Sequence, residues 1–232
     1  MESKAILIIP ALNERKNLEK LIPAIFEFMP GISILVVDDD SQDGTDQYLR
    51  SLNNPNLFIL SRKDNFGYGK ACIDGFRWSL ERQYESIVTM DADFSHDYRT
   101  IPGLLSGLEN NDVVIGSRYI KNGKIENWKW HRRILSKFAN FYVRFILGLK
   151  IKDITTGFNA YKKDALLKSD FNRVRSDGYA FLVELKYRLH KAGVKITEYP
   201  ITFYERREGQ SKMSSKVIWE SVKLPWKLRL GK

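Results

Sequence analysis

Five short apolar runs alternate with stretches of helical periodicity through the first half of this chain, and few folds accommodate that alternation. The runs are Lys4–Ile9, Ile32–Val37, Leu57–Leu60, Ser86–Met90 and Val113–Gly116. Rich in Ile, Val and Leu, they read as strands buried on both faces. Arg15–Phe28 places Leu18, Leu21, Ile22, Ile25 and Phe28 at helical spacing, and Gly44–Ser51, Gly69–Arg82 and Tyr98–Glu109 continue the series. Strands and helices in this order build right-handed βαβ units around a parallel sheet. The expected fold class is α/β, a mostly parallel, Rossmann-like sheet flanked by helices, whose ligands sit at the carboxyl ends of the strands.

The second half reads as a helix over Trp130–Leu149, a helix over Asp177–Lys191, a strand over Lys195–Phe203 and an amphipathic basic tail over Ser214–Arg229. There are no repeats, low-complexity segments or long linkers. With 232 residues, 43% of them hydrophobic, the chain supports one substantial core. A single cysteine, Cys72, excludes an intrachain disulfide and a cysteine zinc site, and suits a reducing compartment. The apolar run Ala5–Ile9 stops at Pro10, too short for a signal peptide or a bilayer span. The run Phe138–Leu149 is interrupted by Asn140 and Arg144.

Charge divides the chain. Residues 1–115 carry 11 Lys and Arg against 18 Asp and Glu, whereas residues 116–232 carry 27 against 10. An acidic half suits cations. A basic half suits anions, whether nucleic acid, anionic lipid or a phosphorylated substrate.

The acids cluster at predicted strand ends. Asp91-Ala92-Asp93 follows Ser86–Met90 directly, placing two hard oxygen ligands where a divalent cation and its diphosphate would bind. Asp38-Asp39-Asp40 follows Ile34–Val37. One of these acids can cap the next helix and one can sit in a turn with Gly44, leaving a third for a nucleoside. Pro10-Ala11-Leu12-Asn13-Glu14 ends the first strand, with Asn13 as an N-cap and Glu14 freer to reach a ligand. Gly67-Tyr68-Gly69-Lys70 lacks P-loop spacing and reads as a helix start. His96 and His131 are isolated histidines with no assigned role.

Three of these segments, Ile8–Glu14, Val36–Thr45 and Met90–His96, together resemble the inverting glycosyltransferase family 2, with its GT-A fold. Within it the similarity is greatest to the polyprenol-phosphate mannose synthases, on Gly116–Tyr119, Arg132–Lys137, Asp153–Phe158, Arg206 and Gly209–Lys212. The resemblance runs from about Ile6 to Lys212. It implies a catalytic domain over 1–212, with a nucleotide-sugar half (1–116) and an acceptor half (117–212), followed by the tail at 213–232. It implies that Pro10, Leu12, Glu14, Val37 and Asp39 line the nucleoside pocket. Asp91, Ala92 and Asp93 would hold the diphosphate and Mg²⁺ or Mn²⁺, with Ser95 where some relatives place a glutamine ligand. Arg206 and Lys212 would lie on the diphosphate side, and Arg118 and Arg132 would face an acceptor phosphate. Where the family has a proline after the histidine, this chain has Asp97.

The reaction so implied moves mannose from GDP-mannose to a dolichyl or polyprenyl phosphate. The catalytic groups would be Asp93, Arg118 and Arg132. A phosphate monoester, with a second pKa of about 6, is ionised at neutral pH and attacks without the general base a sugar hydroxyl needs. Trp128, Trp130, Phe138, Phe141, Tyr142 and Phe145, interleaved with basic residues, describe an interfacial helix, about half of whose aromatics belong to the core. Trp219 and Trp226 extend that character into the tail. Attachment to the cytoplasmic face of a membrane, peripherally or through a membrane-embedded partner, would bring the enzyme to its lipid. A glucosyl or other UDP-sugar transferase shares the first three motifs. The basic half also suits a nucleic-acid binder, but the acidic strand ends argue against it, and an intact Asp91-Ala92-Asp93 argues against a non-catalytic membrane adaptor.

Overall fold

The computed structural model describes residues 4–205 and 215–231. In chain order the elements begin with β1 (Ala5–Ala11), α1 (Arg15–Phe28), β2 (Ser33–Asp38), α2 (Thr45–Ser51), β3 (Leu57–Ser61) and α3 (Tyr68–Glu81). Next come β4 (Ser86–Thr89), a 3₁₀ turn at Tyr98–Thr100 running into α4 (Ile101–Gly107), β5 (Val113–Ser117), β6 (Lys124–Ile125) and α5 (Trp130–Leu147). The chain continues through β7 (Asn159–Lys162), α6 (Lys163–Ser169), α7 (Gly178–Lys191), β8 (Ile196–Pro200), β9 (Thr202–Phe203) and α8 (Ser215–Arg229).

Seven strands form one sheet in the order β3-β2-β1-β4-β7-β5-β8. Every neighbouring pair is parallel except those made by β7, which runs antiparallel to both β4 and β5. The alternating apolar strands sort their side chains cleanly between two layers. Ile6, Ile8, Leu35 and Val37 face a core built with α3, α5, α6 and α7. Leu7, Ile9, Ile34 and Val36 face a second core under α1, α2 and α4. Burial on both faces is why these strands carry no polar alternation.

Two features depart from the sequence expectation. Asn159-Ala-Tyr-Lys carries no apolar run, yet it enters the sheet because β4 and β5 present ladder groups on either side of it, with Asn159 opposite both Thr89 and Ile115. The expected strand Lys195–Phe203 is divided at Ile201. Its first part pairs with β5, and its second pairs with β6 in a separate two-stranded ribbon. Pro200 has no N–H to carry the ladder onward, and the Ile201 N–H donates to the Ser117 carbonyl at 3.1 Å before the chain turns. That turn delivers Phe203 beneath His96, where the two form an isolated bridge.

Candidate active site

The carboxyl ends of β1, β2, β4 and β5 open onto one edge, with the start of β7 among them. Along this edge the loops after β1 and β2 are stapled together. Asn13 adopts a left-handed φ of 58°, its side-chain oxygen accepts from the Gln42 N–H at 2.8 Å, and its own N–H donates to Ser41 Oγ at 2.7 Å. It therefore does not cap α1, because its side chain is spent on the neighbouring loop. Glu14 occupies the N-cap position and accepts from Asn17 Nδ2 at 2.6 Å.

Each acid of the triplet after β2 has a different partner, which is how three adjacent carboxylates coexist. Asp38 accepts from the Ser41 N–H at 3.1 Å and from its hydroxyl. Burial pushes the Asp38 carboxyl up, and the Ser41 bonds offset this only in part. Asp39 is buried against the Arg62 guanidinium and accepts from the Gly67 N–H at 2.8 Å. Asp40 lies 3.6 Å from Lys63 Nζ. None of the three caps α2. Its N-cap position is Gly44, and Asp43 just before it accepts from the Thr45 N–H at 3.1 Å.

Pro10 and Glu14 are half-buried and Leu12 is exposed along this edge. Val37, assigned to the nucleoside pocket, is instead fully buried in the core beneath α3, so its side chain cannot line a ligand. The glycine segment before α3 is a helix start, and its N–H groups are taken by carboxylates: Gly67 bonds Asp39, and Gly69 bonds Asp177 at 2.6 Å.

A second acidic turn follows β4. Asp93 is buried and accepts from the Ser95 N–H at 3.0 Å, across Phe94 in a left-handed conformation. Asp91 stands beside His96, with Oδ2 3.9 Å from the imidazole Nδ1. The Ser95 hydroxyl and His96 Nε2 are buried and have no hydrogen-bond partner among the described residues. Burial holds His96 below its ordinary pKa despite Asp91 and Asp93. Its Nδ1 accepts from the Asp91 N–H at 3.4 Å, so the neutral ring carries its proton on Nε2. Among the described residues no three His, Cys, Asp or Glu side chains gather as a metal cage. Two carboxylates with a buried hydroxyl in the same turn fit a hard divalent cation that keeps waters and completes its shell with substrate phosphate oxygens. Asp97, in place of the family's proline, caps the following 3₁₀ turn by accepting from the Arg99 N–H at 3.0 Å.

Opposite lies a cationic wall. Arg118 is buried and grips Asp153 through two bonds of 2.7 Å, with Nη2 also donating to Thr155 Oγ1 at 2.9 Å. Burial works against both charges, and the pairing overrides it: Arg118 is raised and Asp153 lowered from their ordinary values. The Arg118 guanidinium lies 5.6 Å from the Trp128 ring centroid, and Arg132 stacks on that ring at 4.1 Å. Arg132 also donates to Glu205 at 3.1 Å. The Trp128 indole N–H is buried and has no partner among the described residues. Trp128 packs edge-on to Phe203 at 5.3 Å, and Phe203 packs edge-on to His96 at the same distance. The aromatic chain thus joins the acidic turn to the arginines. Arg206 and Lys212 lie outside the described residues.

Sequence reasoning gave no role to Asp153, Phe203 or Lys186. Asp153 lies in a motif that was noted, but no local pattern pairs it with an arginine 35 residues away. Lys186, on α7, is fully buried and donates to the carbonyls of Ile154 and Thr156 at 2.8 and 2.7 Å, clamping the Asp153 segment. Burial lowers its pKa from 10.5 to about 7, with Asp153 opposing.

Two stability measurements test this wall. Arg118→Ala leaves Asp153 buried and unpaired and should cost about 3–5 kcal/mol in urea unfolding. Arg118→Met with Asp153→Leu should recover part of that loss, and a double variant no better than the single one would contradict the pairing. Because folding depresses the Lys186 pKa, the unfolded chain binds the proton that the folded chain gives up. Stability should therefore rise between pH 7 and 10.5, the interval between the two pKa values. Lys186→Met should flatten that rise in urea midpoints taken across the interval.

The family model described as glycosyl transferase family 2 matches residues 6–169. An undecaprenyl-phosphate mannosyltransferase of Micrococcus luteus is 41% identical over 221 residues, 94% of this chain and 91% of that protein. A polyprenol monophosphomannose synthase of Mycolicibacterium smegmatis is 41% identical over 223 residues, 94% and 84% of the two chains. A dolichol-phosphate mannosyltransferase of Pyrococcus furiosus is 36% identical over 231 residues, 97% of this chain but 63% of its own. Among solved structures, the glucosyl-3-phosphoglycerate synthase of Mycobacterium tuberculosis, in complex with Mn²⁺, UDP and glucosyl-3-phosphoglycerate, aligns with a TM-score of 0.68. The alignment covers 99% of this chain and 81% of that one at 18% identity, a likeness of GT-A fold alone. The chain belongs to glycosyl transferase family 2 and is a glycosyltransferase.

Proposed function

We propose that the protein transfers mannose from GDP-mannose to a polyprenyl or dolichyl phosphate, with inversion at the anomeric carbon, releasing GDP. The names of the relatives at 41% identity support this acceptor class. The observation that carries the reading is the Trp128 indole, with the Arg118 and Arg132 guanidiniums 5.6 and 4.1 Å from its ring and its buried N–H unpartnered among the described residues. Two cations and an unused donor make a receptor for an oxyanion.

In this reading Pro10, Leu12, Glu14 and Asp39 border the nucleoside, and Asp91, Ala92 and Asp93 face the diphosphate. A Mg²⁺ or Mn²⁺ ion, held by Asp91 and Asp93 with Ser95 beside them, would neutralise charge on the departing GDP. Arg206 and Lys212 would approach the same diphosphate, by resemblance. Arg118 and Arg132 orient the acceptor phosphate for in-line attack. Asp153 and Thr155 engage Arg118 Nε and Nη2, which presets the guanidinium and leaves Nη1 for the ligand. The acceptor arrives ionised, so the residues supply alignment and charge stabilisation and no general base.

The catalytic unit spans residues 1–212, with 213–232 as a basic tail. Among the described residues no helix is long and apolar enough to cross a membrane. The protein meets its lipid acceptor at the cytoplasmic membrane surface, directly or through a membrane-embedded partner. Of the interfacial aromatics, Trp130, Phe138, Phe141 and Phe145 on α5 stand exposed, while Trp128 and Tyr142 are half-buried. Trp226 on α8 is exposed as well, and the Trp219 side chain lies outside the described residues.

Transfer of labelled mannose from GDP-mannose to polyprenyl phosphate in detergent tests the reaction. Activity with Mg²⁺ or Mn²⁺ should vanish with EDTA, and Asp93→Ala should lose more than about 100-fold. Faster transfer from UDP-glucose would displace the mannosyl assignment. Trp128→Phe keeps the ring and removes the N–H. It should raise KM for polyprenyl phosphate roughly tenfold, the loss expected for one hydrogen bond to a charged group, with KM for GDP-mannose unchanged. A change confined to the donor would place the indole on the other substrate.

A further inference from the structure

Helix α5 is seated through Asn140, Val143, Ile146 and Leu147, which are buried. Its opposite face carries Trp130, Ile134, Phe138, Phe141 and Phe145, each between 58% and 75% exposed. Spaced by four, four, three and four residues, they form one continuous stripe. Large apolar side chains of this number on one face mark an interaction surface. One side of the helix is occupied by α8, where the Tyr142 hydroxyl donates to the Val222 carbonyl at 3.0 Å and Arg229 donates to the Ile146 carbonyl.

The other side is open and basic. A groove of about 400 Å³ runs between α5 and the loop after β5. Lys137, Arg144 and Lys152 stand around it, with Arg118 at its inner end and Tyr119, Ile120 and Phe141 as apolar wall. Among the described residues no carboxylate lines it. Phe141 belongs to both groove and stripe, so a ligand in the groove carries any hydrocarbon it bears along the exposed face. Arg132, the outer arginine of the proposed acceptor site, is not part of it.

We propose that this groove seats the phosphate of an anionic phospholipid while the α5 stripe lies in the acyl layer. The proposal rests on the reading of a membrane-borne acceptor and adds a second lipid site beside that acceptor's, the two adjoining at Arg118. Three cations with no acid among them complement a phosphodiester headgroup. The stripe beside them matches the apolar face of an interfacial helix. Docked this way, the loop after β5 meets the headgroup layer, which turns Arg118 and the Trp128 site towards the depth at which a polyprenyl phosphate presents its anion.

Flotation with phosphatidylcholine vesicles, with and without phosphatidylglycerol, tests the proposal on the full chain. Wild type should bind the anionic vesicles more than about tenfold better, with a preference that fades in salt. Lys137→Gln, Arg144→Gln and Lys152→Gln combined should abolish that preference. In detergent, the same variant should keep the wild-type KM for a short polyprenyl phosphate. Phe138→Ser with Phe145→Ser should lose binding to both kinds of vesicle. A wild type indifferent to vesicle charge, or a triple variant that keeps the preference, overturns the proposal. A triple variant whose acceptor KM rises in detergent overturns it too, because the groove would then hold the acceptor. Wild-type transfer in detergent reports on the mannosyltransferase reading independently of any vesicle result.

Discussion

Asp153 and Arg118 are charged, buried and bonded to each other, and the geometry of the cationic wall rests on their meeting. Buried ions are costly unless well hydrogen-bonded, and Asp153 accepts from the Arg118 backbone N–H at 3.0 Å as well as from Nε and Nη2 at 2.7 Å; the segment around it is pinned in turn. The Asp153 N–H donates to Glu198 at 3.0 Å, the neighbouring Ile154 N–H donates to Asn140 at 2.7 Å, and Lys186 holds the next carbonyls. Strands β5 and β8 and helices α5 and α7 are thereby drawn to one point. An arginine held this firmly loses little entropy on binding an anion, so its rigidity becomes binding energy.

The insertion of β7 between β4 and β5 brings that point to the acidic edge. The Thr89 hydroxyl donates to the Gly157 carbonyl at 2.7 Å, stitching the end of β4 to the Asp153–Gly157 segment. Gly157 has no room for a side chain: a Cβ there would lie 2.4 Å from the Tyr68 hydroxyl and 3.1 Å from Asp91 Oδ1. The close approach sets Asp91 beside the segment that anchors Arg118. The acidic turn and the arginine wall thus share one rigid frame, which the proposed transfer, governed by alignment, would require.

Much of this was legible in order along the chain. The apolar runs and the helical spacing of Leu18, Leu21, Ile22 and Ile25 mark strands and helices whose bounds agree closely with the structure. The position of Asp91 and Asp93 at a strand end was equally plain. Asn13 and the Asp38–Asp40 triplet were harder to read. Their side chains choose among several nearby N–H groups, and that choice depends on a loop 28 residues distant. The exposure of Phe138 and Phe145 was likewise undecidable, because a helix with apolar residues around much of its circumference does not say which stripe meets the protein.

The sequence by itself determined the layered α/β architecture, the acidic strand ends and the family, because those follow from local periodicity and short contiguous motifs. Folding in three dimensions settled that β7 enters the sheet, that Val37 is core, that Asp153 holds Arg118 while Lys186 clamps the Asp153 segment, and that the Trp128 ring lies near two guanidiniums. Each of these depends on groups distant in the chain meeting in space. A buried charge or donor is recognised only when its partners, or their absence, can be seen.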